Sequence, residues 1–420
     1  MLDIKLIRDN PESVKNKLRL RKEEVSVIDK ILDTDGQRLI LISKSETLKE
    51  LRNSVSDEIA VMKKNKHDAS DKIAEMKKVS DEIKAYDEEL RKVDADLDMQ
   101  LRYVPNLPDD SVPLGNSEKD NAEILKWGEK NSFDFDVKDH IELGKALDIL
   151  DFERGTKISG SGFPLYKGKG AKLERALINF MLDEQSKNGY KEVMTPVLVN
   201  RASMEAAEKI PKFEEDMYHI EKDDLFAIPT AEVPILNIHR DEILKQDDLP
   251  LKYCGFTNCF RREAGSFGAD VRGLNRVHQF DKVEIVQLVH PDKSYAVLEE
   301  MVSHVEKLLN SLELPYRILR LCGGDMGFAS ALTYDFEVYS AAQQKWLEVS
   351  SVSNFETFQT NRMKIRFKDA DNKTQLLHSL NGSSLALPRI VACLLENNQA
   401  DKTINLPAVL HKYFGKASIN

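Results

Sequence analysis

The segment from Cys259 to Val286 reads CFRREAGSFGADVRGLNRVHQFDKVEIV and decides the interpretation of this chain. Four arginines surround its glycine-bearing loop from Gly265 to Gly273: Arg261, Arg262, Arg272 and Arg276. Guanidinium groups hold polyanions through forked, charge-assisted hydrogen bonds. The alternative is a surface hairpin whose charges pair among themselves. Four arginines within 16 residues favour a site for a phosphate-rich ligand instead.

A second polar region runs from Trp346 to Gln399. Glu348 and Ser351 offer hard oxygen ligands of the kind that Mg²⁺ accepts beside nucleotide phosphates. The run NGSSLA, residues 381–386, is small and polar, and we expect a loop whose backbone a ligand can approach closely. Arg389 is expected about a turn and a half into the following helix. Taken alone, a glycine loop, a helix and a surface arginine remain the alternative.

A weaker signal lies in KNGYKEVMTPVLVN, from Lys187 to Asn200. The apolar spacing before it predicts a helix that ends near Gly189, a residue that adopts the left-handed cap. A strand should follow within the β-rich run EVMTPVLV (residues 192–199). We expect it to stop at Pro196, because sheets tolerate proline best at an edge or an interface. As pure structure this is a common join of helix and strand.

The N-terminal quarter of the chain is predicted to form a long helical hairpin. No glycine or proline occurs between Gln37 and Val104, and apolar residues recur there at helical spacing. The first seam contains Leu48, Leu51, Val55, Ile59 and Met62. The second contains Ile73, Met76, Ile83, Leu90, Val93, Leu97 and Leu101. A polar turn near residues 65–68 would let the two seams pack as an antiparallel coiled coil that reaches roughly 50 Å.

Such a hairpin has two functional interpretations. A dimerisation or spacer element is the simpler one. The other is an arm that reaches a large ligand, with an excess of lysines near the tip that could meet phosphates. The candidate lysines are Lys63, Lys64, Lys66 and Lys72. A solvated helix face would have the same charge pattern.

The composition limits the remaining possibilities. The chain has 420 residues, a net charge of −10 and four cysteines without metal-ligand spacing. These values favour a cytoplasmic protein with reduced thiols and argue against zinc and against a general nucleic-acid coat. No signal peptide or membrane span is expected. The stretch 105–130 resembles a linker, and the rest predicts mixed α/β structure with an antiparallel sheet, without a P-loop or a Rossmann motif.

These segments together resemble the three motifs of class II aminoacyl-tRNA synthetases. The first motif is Gly-Tyr…Pro (Gly189, Tyr190, Pro196), the second is Phe-Arg-x-Glu from Phe260, and the third ends at Arg389. The runs PTAEVP (229–234), FRREAGSFG (260–268), RVHQFDKVE (276–284) and LNGSSLA (380–386) narrow the resemblance to bacterial-type seryl-tRNA synthetases. That family also carries an N-terminal coiled-coil arm, so the resemblance covers essentially the whole chain.

The resemblance implies an α+β fold in two domains. Residues 1–110 would form the tRNA-binding domain with its antiparallel coiled coil. Residues 111–420 would form a class II catalytic domain on an antiparallel sheet flanked by helices. The motifs would lie at about 187–200, 259–286 and 378–399. A homodimer is expected, with the first motif at the two-fold interface.

The activity implied is that of a serine–tRNA ligase. Serine and ATP would form seryl-adenylate and pyrophosphate, with Mg²⁺ and without zinc. Serine would then pass to the terminal adenosine of tRNA(Ser), with tRNA(Sec) as an open second acceptor. The arm would contact the long variable arm of the tRNA through backbone and shape.

The resemblance also assigns site residues. Catalytic charge would come from Arg261, Arg276 and Arg389. Serine would be bound by Thr230, Ala231, Glu232, Glu284, Asn381 and Ser383. ATP would be bound by Arg261, Arg262, Glu263, Val277, Phe280, Glu348, Val349, Ser350, Ser351 and Arg389, with Mg²⁺ on Glu348 and Ser351. Arg261 would hold the α-phosphate and the serine carboxylate, and Arg276 would reach the outer phosphates.

The adenine and the serine side chain have their own predicted contacts. Glu263 would accept from the adenine amino group, with the ring between Phe280 and Arg389. Thr230 and Glu232 would contact the serine amino group. The serine hydroxyl would meet Glu284 and either Ser383 or its neighbour Ser384, which stands where many bacterial members have glycine. A carboxylate that accepts a hydrogen bond from the serine hydroxyl discriminates against alanine and glycine. These two amino acids have no hydroxyl, so the carboxylate would be left without a partner.

Two other functions remain as alternatives. One is a related ligase that passes seryl-adenylate to a carrier protein; such relatives generally lack the arm. The other is a non-catalytic coiled-coil protein that binds RNA or a partner and has kept the fold. This second alternative requires decay of the ATP site, whereas Arg261, Glu263, Glu284, Glu348 and Arg389 are all present.

Overall fold

The structure is a computed structural model that describes residues 1–263, 272–401 and 403–420. The described residues form two compact units. One comprises Met1–Arg19 and Glu23–Pro105, and the other comprises Leu20–Lys22 and Asn106–Asn420. None of the described helices combines the length and the apolar character needed to cross a membrane.

The first unit is built from helices. They are α1 (Ile4–Asp9), α2 (Pro11–Leu20), α3 (Ser26–Lys64) and α4 (Ser70–Arg102). The predicted hairpin is confirmed, because α3 and α4 pack along one another and the turn falls between Lys64 and Ser70. Part of the seam is a cluster in which Met76, Val79 and Ile83 meet side chains of α3.

For two residues, the prediction that they lie in the buried seam is wrong. Leu51 is 43% exposed and Ile73 is 44% exposed. Each lies at the edge of its helical stripe, where a partner helix on a narrow seam does not cover it. Ion pairs across the hairpin lie outside the seam: Nζ of Lys49 is 2.9 Å from Oδ1 of Asp87. Such exposed pairs add little stability but are consistent with the observed register.

The second unit contains the remaining elements. Its helices are α5 (His140–Ala146), α6 (Phe152–Ser159), α7 (Lys169–Lys187), α8 (Arg201–Ala206), α9 (Glu232–Asn237), α10 (Ser294–Ser311), α11 (Phe358–Met363), α12 (Leu387–Asn397) and α13 (His411–Phe414). Its first strands are β1 (Ala122–Trp127), β2 (Leu150–Asp151), β3 (Leu165–Tyr166), β4 (Lys191–Glu192), β5 (Leu198–Asn200), β6 (Tyr218–Ile220), β7 (Leu225–Ala227), β8 (Ile243–Lys245) and β9 (Leu251–Phe260). The later strands are β10 (Gln279–Val289), β11 (Tyr316–Arg320), β12 (Leu332–Ser340), β13 (Lys345–Glu356), β14 (Arg366–Lys368), β15 (Thr374–Leu376), β16 (His378–Ala386), β17 (Ile404–Asn405) and β18 (Ser418–Ile419).

A large sheet organises this unit. Within the described residues its strand order is β1-β11-β12-β13-β16-β10-β9-β4. All neighbours are antiparallel except β4 and β9. Helices α7, α10 and α12 pack on the sheet and close the main core. The predicted α+β class, a coiled-coil hairpin plus a mainly antiparallel sheet with helices, is therefore confirmed.

Three local predictions differ from the structure. The strand expected over EVMTPVLV is interrupted: β4 ends at Glu192 and β5 begins at Leu198, because Pro196 has no N–H for a ladder. The stretch 105–130 is more than a linker, since β1 lies within it and pairs with β11. The run 381–386 is part of strand β16, where non-local pairing with β10 and β13 overrides its loop-like composition.

Candidate active site

The site lies on the face of the sheet that the main core leaves free. On β10, Val283 and Ile285 belong to the main core. Side chains alternate along a strand, so Lys282 and Glu284 point to the opposite face. The register continues this face across the sheet, because Glu284 lies opposite Ser383 on β16. The strands therefore gather polar side chains from distant parts of the chain on one surface.

A cleft on this face joins three compartments, and Arg261 lines all of them. The first compartment brings together most of the residues predicted to bind ATP. They are Arg261, Glu263, Arg276, Val277, Phe280, Glu348, Val349, Ser350 and Arg389. The guanidinium of Arg261 lies 5.3 Å from the centre of the Phe280 ring. A cation and an aromatic surface thus stand side by side, as a nucleotide requires.

The carboxylate of Glu263 is held by an arginine of the same segment. Nη1 of Arg276 donates to its Oε2 at 2.9 Å. Two residues apart on a strand, Arg261 and Glu263 would face the same side, but β9 ends at Phe260 and Glu263 has a φ of +49°. The backbone turn, not strand alternation, presents Glu263 to the cleft. Most of the glycine-bearing loop that we predicted between these groups lies outside the described residues.

Arg389 occupies a different position on its helix from the one predicted. Helix α12 begins at Leu387, so Arg389 is its third residue and lies in the first turn. Its Nε donates to the carbonyl of Asn275 at 2.9 Å, and its Nη1 donates to the carbonyl of Glu348 at 2.6 Å. These bonds fix the guanidinium plane at the wall of the first compartment.

The other two compartments contain residues predicted for serine and Mg²⁺. Thr230 lines the second, and Glu232, Ser351 and Asn381 line the third. Glu232 is buried and receives hydrogen bonds from Lys209 at 3.2 Å and from Gln359 at 2.5 Å. Burial acts to raise the pKa of Glu232, but the charge of Lys209 and these hydrogen bonds outweigh it and lower the pKa. The site thus holds an ionised carboxylate.

Glu284 is paired with a buried lysine that the sequence analysis did not select. Nζ of Lys282 lies 2.7 Å from Oε2 of Glu284 and donates to Oγ1 of Thr230 at 2.8 Å. Burial raises the pKa of Glu284, and the charge of Lys282 partly opposes that rise. Among the described residues, Oε2 of Glu284 has no partner with hydrogen-bond geometry. Glu284 itself lines none of the three compartments, whereas its partner Lys282 lines the first.

The two adjacent serines on β16 point in different directions. Ser383 lines the first compartment, and its carbonyl accepts from Ser350 at 2.5 Å. Ser384 is fully buried and accepts a hydrogen bond from Nε2 of Gln185 on α7 at 2.6 Å. Of these two serines, Ser383 lines a compartment of the cleft and Ser384 does not.

Some of the residues that were predicted to bind ligands do not line the cleft. Ala231 is fully buried and belongs to a core cluster, and Arg262 is exposed and does not line the compartments described above. Lys63, Lys64 and Lys66 are exposed near the hairpin turn, whereas Lys72 forms an ion pair with Glu58. Those four lysines belong to the other unit.

Sequence reasoning missed Lys209, Lys282 and Gln359. Lys282 could have been found, because Lys and Glu two apart on a strand share one face. Lys209 and Gln359 contact Glu232 from 23 and 127 residues away, and no local pattern announces such contacts.

Comparison with known protein families first identifies the class to which this chain belongs. Residues 212–398 match the model of the tRNA synthetase class II core domain (G, H, P, S and T). This range contains the second motif, nearly all of the third, and most of the residues that line the cleft, with Glu208 and Lys209 just outside it. Residues 1–108 match the model of the seryl-tRNA synthetase N-terminal domain. The chain belongs to the family of serine–tRNA ligases.

Individual relatives agree with this family. The serine–tRNA ligase of Listeria welshimeri is 53% identical over 418 residues, which cover 99% of this chain and 98% of the relative. That of Geobacillus kaustophilus is 50% identical, with both chains covered completely. The crystal structure of seryl-tRNA synthetase from Pyrococcus horikoshii complexed with ATP has a TM-score of 0.93 and 36% identity, and covers 100% of this chain and 99% of that one.

Proposed function

We propose that this protein activates L-serine with ATP and transfers it to tRNA(Ser). The observation that carries the proposal is the meeting of Arg261, Glu263 and the Phe280 ring in one compartment of a chain that belongs to the serine–tRNA ligases along its whole length. The carrier-protein ligase and the non-catalytic RNA-binding protein explain less, because the match includes both the arm and the catalytic core.

The first step joins the serine carboxylate to the α-phosphorus of ATP and releases pyrophosphate. Arg261 lines every compartment of the cleft, so one guanidinium could contact both reacting groups. Positioned positive charge of this kind stabilises the charge that develops in the transition state. Arg276 and Arg389 line the first compartment and would bind the outer phosphates and one face of adenine.

The serine side of the cleft provides complementary charge. The ionised carboxylate of Glu232 would pair with the serine ammonium group beside Thr230. Glu284 would accept from the serine hydroxyl opposite Ser383. Alanine and glycine cannot supply that donor, and a buried acceptor without a partner costs about 1–3 kcal/mol. This is the physical basis of the proposed selectivity.

Mg²⁺ is proposed beside the phosphates, on Glu348 and Ser351. The donor set fits a hard cation, because a half-exposed carboxylate and a hydroxyl lie on the same strand at the cleft. No group of three or more His, Cys, Asp or Glu side chains arranged for a metal is found in the described part of the chain. A site completed by phosphate oxygens is consistent with that. The ion would neutralise phosphate charge, while Arg261 and Arg276 orient the nucleotide.

Recognition of tRNA is proposed for the N-terminal unit. We assign residues 1–110 to tRNA binding and residues 111–420 to catalysis. The exposed lysines at the hairpin tip support contacts with the RNA backbone. Transfer to the tRNA follows when a ribose hydroxyl of the terminal adenosine attacks the seryl-adenylate and releases AMP. A cytoplasmic homodimer and acceptance of tRNA(Sec) are further parts of the proposal that the family suggests.

The decisive experiment is ATP–pyrophosphate exchange with a panel of amino acids. We expect exchange with serine, and its loss by at least about 100-fold in Arg261→Ala, since one preorganised donor to a developing charge contributes roughly that much. Arg201→Ala is a suitable control, because Arg201 is tied to Glu214 and Asp224 and does not line the three compartments. Exchange with another amino acid, or full activity of Arg261→Ala, would contradict the proposal.

A further inference from the structure

Asp335 is a carboxylate in the cleft that the proposed reaction does not use. It stands on β12 directly opposite Ser351 on β13, and both side chains line the third compartment. Its Oδ1 atom is buried and has no hydrogen-bond partner among the described residues. A buried carboxylate oxygen without a partner is costly, so it calls for an explanation beyond packing.

The surroundings of Asp335 are acidic. Glu337 stands two residues further along the same strand opposite Glu348, and Asp325 lines the same compartment as Asp335. Like charges at short range destabilise one another in a partly dry site. The strand pair would be more stable with an uncharged residue here. A cation bound on Glu348 and Ser351 removes this conflict, because it would offset both carboxylates at once.

The contact with Ser351 links Asp335 to that cation. Ser351 lies directly across the strand pair from Asp335, at the separation where opposite side chains meet, and beside a carboxylate the serine hydroxyl is the donor. A hydroxyl has one proton and two lone pairs. When its proton is directed to Asp335, the lone pairs remain for a metal ion, and rotation about the side-chain bond is restricted. Carboxylates that hold a metal ligand in this way raise affinity without touching the metal.

We propose that Asp335 is a positioning residue of the cation site, which acts by orienting the hydroxyl of Ser351 for Mg²⁺. The inference rests on the proposed function, which places Mg²⁺ on Glu348 and Ser351. It adds a residue from a neighbouring strand that binds neither ATP nor serine. It also gives a reason for keeping a buried carboxylate at this position, because the cation would offset its charge.

The test is a thermodynamic cycle with Mn²⁺ as the probe. Mn²⁺ is titrated by electron paramagnetic resonance into the full-length protein saturated with α,β-methylene-ATP. Asp335→Ala should weaken Mn²⁺ binding by about 10-fold or more, the range found for groups that orient metal ligands. Ser351→Ala should weaken it similarly. The double variant should be no weaker than Ser351→Ala alone, because Asp335 acts through that hydroxyl.

The controls separate this inference from its premise. Glu174→Ala removes another buried carboxylate with an unpartnered oxygen, outside the three compartments, and should leave Mn²⁺ affinity within twofold. Asp335→Asn preserves the shape of the side chain if the alanine variant does not fold. Additive losses, or an unchanged affinity in Asp335→Ala and Asp335→Asn, would overturn the positioning role. If Glu348→Gln also left the affinity unchanged, the proposed Mg²⁺ site itself would be wrong.

Discussion

At the scale of single residues, the site depends on charges that are buried in pairs. Lys282 and Glu284 are exposed by 6% and 2%, and neither would be stable in that position alone. Nζ of Lys282 lies 2.7 Å from Oε2 of Glu284, so the two charges compensate each other inside the protein. The lysine therefore opposes the rise that burial causes in the pKa of Glu284.

Because Lys282 and Glu284 are paired, we predict that Lys282→Met lowers kcat/KM for serine to an extent that depends on pH. Burial already raises the pKa of Glu284, and Lys282 holds that rise in check. Without the lysine the pKa should rise further, so the protonated form should increase at neutral pH. Since the ionised form is the acceptor, kcat/KM for serine should fall about 10-fold or more at pH 7, consistent with the roughly 1.5–3 kcal/mol of hydrogen bonds to charged groups. Raising the pH should restore part of the lost kcat/KM, because a larger fraction of Glu284 is then ionised.

The measurement is pyrophosphate exchange with serine varied, at pH values from 6.5 to 9. Lys293→Met, at an exposed lysine that follows the same strand, is the matched control and should behave as the unaltered protein. A loss of the same size at every pH would mean that Lys282 supports the fold of the pocket and does not tune Glu284.

Residues in motifs could be predicted from the sequence, and those that support them could not. Arg261, Glu263 and Arg389 stand in recognisable runs, and the structure brings them to one cleft. Lys209 and Gln359 meet at Glu232 only because the sheet and its helices bring distant segments together. Long-range contacts of this kind depend on tertiary structure, and a single sequence carries no periodic signal for them.

At the scale of elements, the long helices were the easiest to predict. The absence of glycine and proline over residues 37–104 and the regular apolar spacing left few alternatives, and α3 and α4 cover that range except for the turn. Strand β16 was harder. Its NGSSLA run has loop-like composition, and only pairing with β10 and β13 makes it extended. Strand formation depends on neighbours more than on intrinsic preference.

The hairpin tip gives a prediction about tRNA binding. Lys63, Lys64 and Lys66 are exposed, and we expect the triple change of these residues to glutamine to raise KM for tRNA(Ser). Each lost phosphate contact should reduce the slope of log affinity against log salt by about 0.7–0.9. Lys72 is left unchanged because it already pairs with Glu58. Filter binding at several salt concentrations and aminoacylation kinetics would measure these effects.

Serine-dependent pyrophosphate exchange by the tip variant should be unchanged, since the cleft lies in the other unit. The matched control neutralises three exposed lysines of that other unit, Lys119, Lys293 and Lys416. If this control weakened tRNA binding as much as the tip variant, total charge would be the cause. The assignment of the tip would then be wrong.

At the scale of the whole molecule, the first motif presents features suited to association. Met194 is 92% exposed and lies just beyond β4, the strand at one edge of the large sheet. An edge strand offers unpaired backbone groups, and a large apolar side chain beside it is a common feature of contact surfaces. The family leads us to expect a dimer, and these observations support an interface at this edge.

We therefore predict that Met194→Glu shifts the protein from dimer to monomer at micromolar concentration. The introduced carboxylate would be buried twice in a two-fold interface, once from each copy, and the desolvation of two like charges should outweigh many favourable contacts. Sedimentation velocity would measure the change. Leu114→Glu is the matched control, because Leu114 is also a large, 77% exposed residue but lies far along the chain from the first motif. A dimer that survived Met194→Glu and dissociated in Leu114→Glu would place the interface elsewhere.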